Sequence, residues 1–191
     1  KPEILRDRIF SHGLKVAAVT GLWGWAGGEL GALAEKDIMS SNSKWRGNAV
    51  KYIKQCVDLM VIFGCKDMNV SPGPLGKCDT SPRGIAEAKA NLIRTMGEVL
   101  PYAREKDVFL PLEPNNRYEG FPCFMNTIAE AKQIIRELET KDSGIVADLF
   151  HMNIEEKCII QALLDGGALI RHIHCLDNNR LGVGMGHVDF K

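Results

Sequence analysis

Two rhythms of apolar and polar positions alternate along this chain. Short runs rich in β-branched and aliphatic residues occupy residues 14–19, 66–70, 108–112, 145–149 and 170–175, and each ends in polar or Gly/Pro-rich sequence. Runs of this length are too short for an ordinary helix, so they predict five strands. Between them, residues 44–63, 81–104, 125–140 and 154–164 place apolar side chains at helical spacing. Every predicted strand except the last is followed by a predicted helix, and the chain opens in a further helical stretch.

The helix starts carry recognisable chemistry. In Ser81-Pro82-Arg83-Gly84 a capping serine precedes a proline suited to the first turn, and Ala86, Ala90, Leu92, Ile93, Met96 and Leu100 then recur on one face. Asn126 is the corresponding cap candidate ahead of Ile128, Ala131, Ile134 and Ile135. Strands alternating with helices imply parallel pairing through crossover helices, and therefore an α/β fold. With no low-complexity tract and no linker, residues 1–191 read as one domain.

An open doubly wound sheet and a closed (β/α)8 barrel share this pattern. The sheet would advertise a phosphate loop at its first turn. Gly182-Val-Gly184-Met-Gly186 is a GxGxG run, not GxGxxG, and it follows the last predicted strand without the strand-turn-helix context that dinucleotide binding requires. The barrel instead gathers its chemistry at the C-terminal ends of several strands.

Composition narrows the partners. Hydrophobic residues make up 45% and charged residues 25% of the 191, the balance of a globular protein with a substantial core. The 24 basic and 24 acidic side chains cancel, which leaves no field to recruit nucleic acid or an anionic membrane surface. No apolar window reaches the ~18 residues that span a bilayer, and the expectation is a cytoplasmic protein. Cys56, Cys65, Cys78, Cys123, Cys158 and Cys175 show no CxxC spacing and are expected to be reduced thiols.

Three successive predicted strands end in side chains able to hold a metal: Glu113 after Phe109-Leu-Pro-Leu, Asp148 after Ile145-Val-Ala, and His174 after Arg171-His-Ile. Neighbouring strand ends converge in a barrel, so two carboxylates and an imidazole would meet around one point. Hard oxygens with one nitrogen suit Mn²⁺, Mg²⁺, Co²⁺ or Zn²⁺. Singly, each residue is better explained as a polar strand end satisfied by backbone. Their joint placement is what argues for a site. Each following loop carries a second polar group, Glu119, His151 and Arg180, which could grip hydroxyls of a polyol or simply face solvent. His172 shares parity with His174 and would sit one layer down, supporting a ligand rather than acting as one.

Leu112-Glu113-Pro-Asn-Asn-Arg117-Tyr118-Glu119, Asp148-Leu-Phe-His151-Met-Asn-Ile-Glu155-Glu156 and His172-Ile-His174-Cys-Leu-Asp-Asn-Asn-Arg180 resemble the successive strand-end motifs of the xylose-isomerase-like sugar isomerase and epimerase superfamily, closest to its D-tagatose and D-psicose (allulose) 3-epimerases. The tail Gly184-Met-Gly186-His-Val-Asp189-Phe190 resembles the stretch that follows the histidine motif in that group. The resemblance implies a TIM barrel, with Glu113, Asp148 and His174 as metal ligands and Glu113 also the proton-transferring catalytic group. It implies Glu119, His151 and Arg180 as substrate-binding residues, one divalent ion (Mn²⁺ or Co²⁺, with Mg²⁺ or Zn²⁺ also fitting), a ketose substrate and a homo-oligomer. The implied activity is C3 epimerisation through an enediolate.

The resemblance also predicts features the chain does not show. About five strands are visible in a barrel of eight, the first two and the last being unaccounted for, and a second metal-binding glutamate on a final strand does not appear by Lys191. The expectation is therefore the central portion of a barrel, truncated at both ends. Other readings remain: a hydroxypyruvate isomerase, a keto-inositol dehydratase, or a non-catalytic homologue serving as a binding module. An apurinic endonuclease fits poorly with five histidines and zero net charge. Trp23, Trp25 and the turn Ser71-Pro-Gly-Pro74 are the candidates for choosing the sugar.

Overall fold

Residue pairing between short parallel strands orders this molecule. The computed structural model describes residues 1–21, 35–72, 81–118 and 124–190. β1 (Ala18–Thr20) pairs with β2 (Asp67–Asn69), and β3 (Leu110–Leu112), β4 (Ser143–Asp148) and β5 (Ile170–His174) pair in that order. Parallel bridges from Asp67 to Phe109 and from Val70 to Leu112 join the two sets. Spatial order thus follows chain order across all five strands, as in a barrel wall, whereas a doubly wound sheet reverses its order partway.

Four of the six α-helices among the described residues begin at a side chain that caps the first turn. α1 (Pro2–Ser11) precedes β1. α2 (Ser43–Phe63) starts at Asn42, whose side chain accepts from the Lys44 amide, and stops at Gly64 in the left-handed region. α3 (Pro82–Glu105) uses the expected Ser81 cap, which accepts from Gly84 N at 3.2 Å. α4 (Ile128–Glu137) departs from expectation because its cap is Thr127, locked in a capping box with Glu130. Asn126 is occupied elsewhere, its amide donating to Asn115 O at 2.6 Å. The helix predicted over residues 154–164 is two, α5 (Leu149–Glu155) and α6 (Ile159–Gly166). Between them Glu156 turns away to accept from the Ile128 amide at 2.7 Å, a bond that no local pattern announces.

α2 and α3 turn one face each toward the strands. Ile53, Val57, Met60, Leu92, Met96 and Val99 are fully buried, and each such side chain contributes ~1.5–3 kcal/mol relative to exposure. All six residues of β4 are buried, as expected of a parallel strand covered on both sides. Register shifts beside Arg171, from Ile145↔Ile170 to Val146↔His172. Arg171 lies with its guanidinium 3.4 Å over the Phe109 ring and Nε 2.7 Å from Asp67. That path exists because residue 144 is glycine: a Cβ there would stand 2.6 Å from Arg171 Cγ and Cδ. Cys56 and Cys65 are buried free thiols, and Cys158 and Cys175 are exposed ones. No helix among the described residues is long and apolar enough to cross a membrane.

Candidate metal centre

The C-terminal ends of β3, β4 and β5 bring three side chains to one atom. Glu113 directly follows β3 and remains registered with β2 through its amide, which donates to Val70 O at 3.0 Å. Asp148 ends β4 and also caps α5, with Oδ1 accepting from the amides of Phe150 (2.9 Å) and His151 (3.2 Å). Its second oxygen is thereby aimed elsewhere, and Oδ2 lies 3.2 Å from His174 Nδ1. The same nitrogen is 2.8 Å from Glu113 Oε1. Both carboxylates are buried, at 7% and 5% exposure, so their charge cannot be left to water.

These separations can be compared with what a cation demands. Adjacent ligands on a six-coordinate ion with bonds of ~2.1 Å stand about 3 Å apart. The observed 2.8 and 3.2 Å bracket that value, and two oxygens with one imidazole nitrogen form a donor set that divalent ions accept. Glu113, Asp148 and His151 also offer ligand atoms within 4.8 Å of one another, so two imidazoles border the same carboxylates.

Hydrogen bonding distinguishes the two rings. His151 Nδ1 lies 3.1 Å from the Asn116 backbone N–H and 2.8 Å from its side-chain nitrogen. A backbone amide only donates, so Nδ1 is the acceptor and the neutral ring carries its proton on Nε2. His151 is therefore suited to donate to an oxygen, while His174 turns a nitrogen to both carboxylates. Hydrogen bonds to Asp148 and then Glu113 push the His174 ring up to about 9 against the opposing effect of burial. Burial works to raise Asp148, but the His174 hydrogen bond and the nearby imidazoles outweigh it and hold the carboxyl below its ordinary value. His172, its ring 5.2 Å from His174 and edge-on, is lowered by burial and by its neighbour's charge.

The remaining candidates are placed less centrally. Arg180 reaches the start of α5, its guanidinium 4.0 Å over the Phe150 ring, which meets the His151 ring edge-on at 5.4 Å. Glu119, Trp23, Trp25, Gly73 and Pro74 lie outside the described residues. The GxGxG run is a wrap around Asp177, a fully buried carboxylate that accepts from the amides of Asn178, Gly184 and Val188 at 2.9, 3.0 and 3.0 Å. Sequence reasoning passed over Asn69, Asn116 and Asp177. Asn69 could have been found, since it lies near the C-terminal end of the predicted strand over residues 66–70, whose neighbour leads into Glu113; the other two sit in loops without period.

The profile of the family described as Xylose isomerase-like TIM barrel matches residues 2–191. The chain belongs to that family. Among xylose isomerase-like relatives, 3-dehydro-D-guloside 4-epimerase of Escherichia coli (strain K12) is 32% identical over 195 residues, covering 98% of this chain and 69% of that protein. D-psicose 3-epimerase of Enterocloster bolteae is 38% identical over 98 residues, covering 51% of this chain and 32% of the other. L-ribulose 3-epimerase of Methylomonas sp. (strain DH-1) is 26% identical, covering 84% and 55%. The chain thus spans from about a third to just over two thirds of these relatives. A crystal structure of apo 3-keto-D-glucoside 4-epimerase from E. coli superposes with a TM-score of 0.82 at 28% identity, covering 99% of this chain and 69% of that one. The fold is accordingly a TIM barrel, of which the described residues supply five strands.

Proposed function

We propose that this chain carries the metal-holding rim of a sugar epimerase, within a single TIM-barrel domain, that inverts the carbon beside a ketone; the substrate is a ketose inverted at C3. The observation that carries the reading is the convergence of Glu113 and Asp148 on His174 Nδ1 at 2.8 and 3.2 Å. Glu113, Asp148 and His174 would hold the ion, with Mn²⁺ or Co²⁺ the expected species. A divalent cation there supplies positive charge beside the oxygen that becomes negative when the neighbouring C–H proton leaves.

The chain's own groups do the rest. Glu113 accepts the C3 proton from one face, and the electron pair passes into the adjoining carbonyl to leave an enediolate. Return of a proton to the opposite face completes inversion, and in the resembled mechanism a second glutamate performs it. His151, fixed as an Nε2 donor by Asn116, steadies an oxygen of the sugar. Arg180 and Glu119 bind neighbouring hydroxyls. A homo-oligomer belongs to the same reading and rests on the resemblance, and a cytoplasmic location is proposed with it because no apolar window of the sequence is long enough to span a bilayer.

A second substrate class is favoured by one finding: the match to 3-dehydro-D-guloside 4-epimerase extends over 98% of this chain. A 3-keto glycoside inverted at C4 also loses a hydrogen beside a ketone, so the same rim serves both. Incubation with Mn²⁺ in deuterium oxide, using fructose, allulose, tagatose and sorbose alongside a 3-keto glucoside, separates the two. Label at C3 of a ketose supports the first reading, and label at C4 of the keto glucoside alone supports the second. Absence of label from every substrate refutes both.

A further inference from the structure

We infer that Asn69 is a positioning residue for Glu113, held in the core for the hydrogen bond it donates. Asn69 ends β2 and is 2% exposed, and its Nδ2 donates to Glu113 Oε2 at 2.8 Å. The other oxygen of Glu113 faces His174 at 2.8 Å. The carboxylate is thus gripped at both ends, which fixes the plane of the group as well as its position. The amide has one sensible orientation, since reversing it would set two oxygens against each other.

Stability alone does not explain this asparagine. Its Oδ1 is buried with no hydrogen-bond partner among the described residues. Such an orphan is destabilising, and an apolar side chain of similar size would avoid it. What an apolar residue could not supply is the donated bond. A neutral donor also suits the task assigned to Glu113 above, on which this part of the inference rests: it orients a base without adding a further positive charge beside it. The mounting is rigid, for Asn69 pairs with Thr20, its carbonyl accepts from the Gly21 amide at 3.3 Å, and the next residue's carbonyl accepts from Glu113 N.

The test compares the purified parent protein with Asn69→Leu and with Asn69→Ala, neither of which carries a donor. Mn²⁺ affinity is read by electron paramagnetic resonance, and turnover by label exchange. Both variants are expected to bind Mn²⁺ about 10-fold more weakly and to lose about 10- to 100-fold in kcat, with KM little changed. A Leu variant with Mn²⁺ affinity and kcat within about twofold of the parent overturns the inference. A second measurement needs neither metal nor sugar: thermal unfolding of the metal-free parent, Asn69→Leu, Glu113→Ala and the double variant. Non-additive shifts in Tm are expected, and additive shifts overturn the inference whatever the activity. If the parent exchanges no label while the cycle is non-additive, the epimerase reading falls and the Asn69–Glu113 link stands.

Discussion

Raising the pH of the metal-free protein should remove a stabilising charge from the rim. His174 titrates at about 9 in the folded chain, pushed up by hydrogen bonds to Asp148 and Glu113. An unfolded histidine titrates near ~6.5. Because the folded value is the higher, the stabilisation is fully present below about pH 6.5 and is lost as pH rises through about 9. At ~1.36 kcal/mol per unit, the gap between those values sets a ceiling of ~3.4 kcal/mol. The ring is 28% exposed, and screening by solvent reduces the expected effect to about 1–2 kcal/mol. For a chain of this size that is a fall of roughly 2–8 °C in Tm. Thermal denaturation in chelator between pH 6 and 10 measures it, with His174→Gln as the reference. An ion binding at the same nitrogen must displace the proton, so Mn²⁺ uptake at pH 7 should release about one proton per ion, seen by calorimetry in buffers of different ionisation enthalpy. Parallel Tm curves for parent and His174→Gln, or uptake without proton release, would refute the reasoning.

Three further outcomes are expected. Glu113→Gln should abolish label exchange with a modest loss of Mn²⁺ affinity, while His174→Ala should lose the ion outright; the reverse pattern in metal analysis and exchange would mean their roles are swapped. Gly144→Ala should destabilise by about 1–3 kcal/mol in a denaturant titration, because the new methyl meets Arg171 at 2.6 Å and the Leu169 carbonyl at 2.7 Å. Gly186→Ala places a Cβ 2.2 Å from Oδ1 of both Asp177 and Asn178. It should loosen the loop that carries Arg180, raising KM for the sugar several-fold while leaving Mn²⁺ affinity as it was, and an unchanged KM would detach Arg180 from substrate binding.

The strands were legible because short runs of β-branched and aliphatic residues end in polar or Gly/Pro-rich sequence, and the residues that end them follow by counting. Glu113, Asp148 and His174 came from that count, and the structure brings all three within hydrogen-bonding distance at His174 Nδ1. Boundaries failed where a distant group intervened. The predicted strand over residues 14–19 is paired only from Ala18 to Thr20, since those residues face β2. The helix over residues 154–164 breaks without glycine or proline, because the Glu156 side chain is taken by the first turn of α4. Neither event leaves a trace in local periodicity.

Asparagine shows most directly why the supporting parts of the rim stayed hidden. In sequence it signals turns and helix caps, where its short side chain competes with nearby backbone. Asn42 behaves in that way, capping α2. Asn69, Asn116 and Asn126 are instead buried and spend their amides across the fold: on Glu113 Oε2, on the His151 ring and on Asn115 O. Each adjusts a neighbour without adding charge, which a rim containing two buried carboxylates and two imidazoles could not absorb freely. The ionisable residues therefore reveal where the chemistry stands, and the neutral amides determine which oxygen and which nitrogen face it.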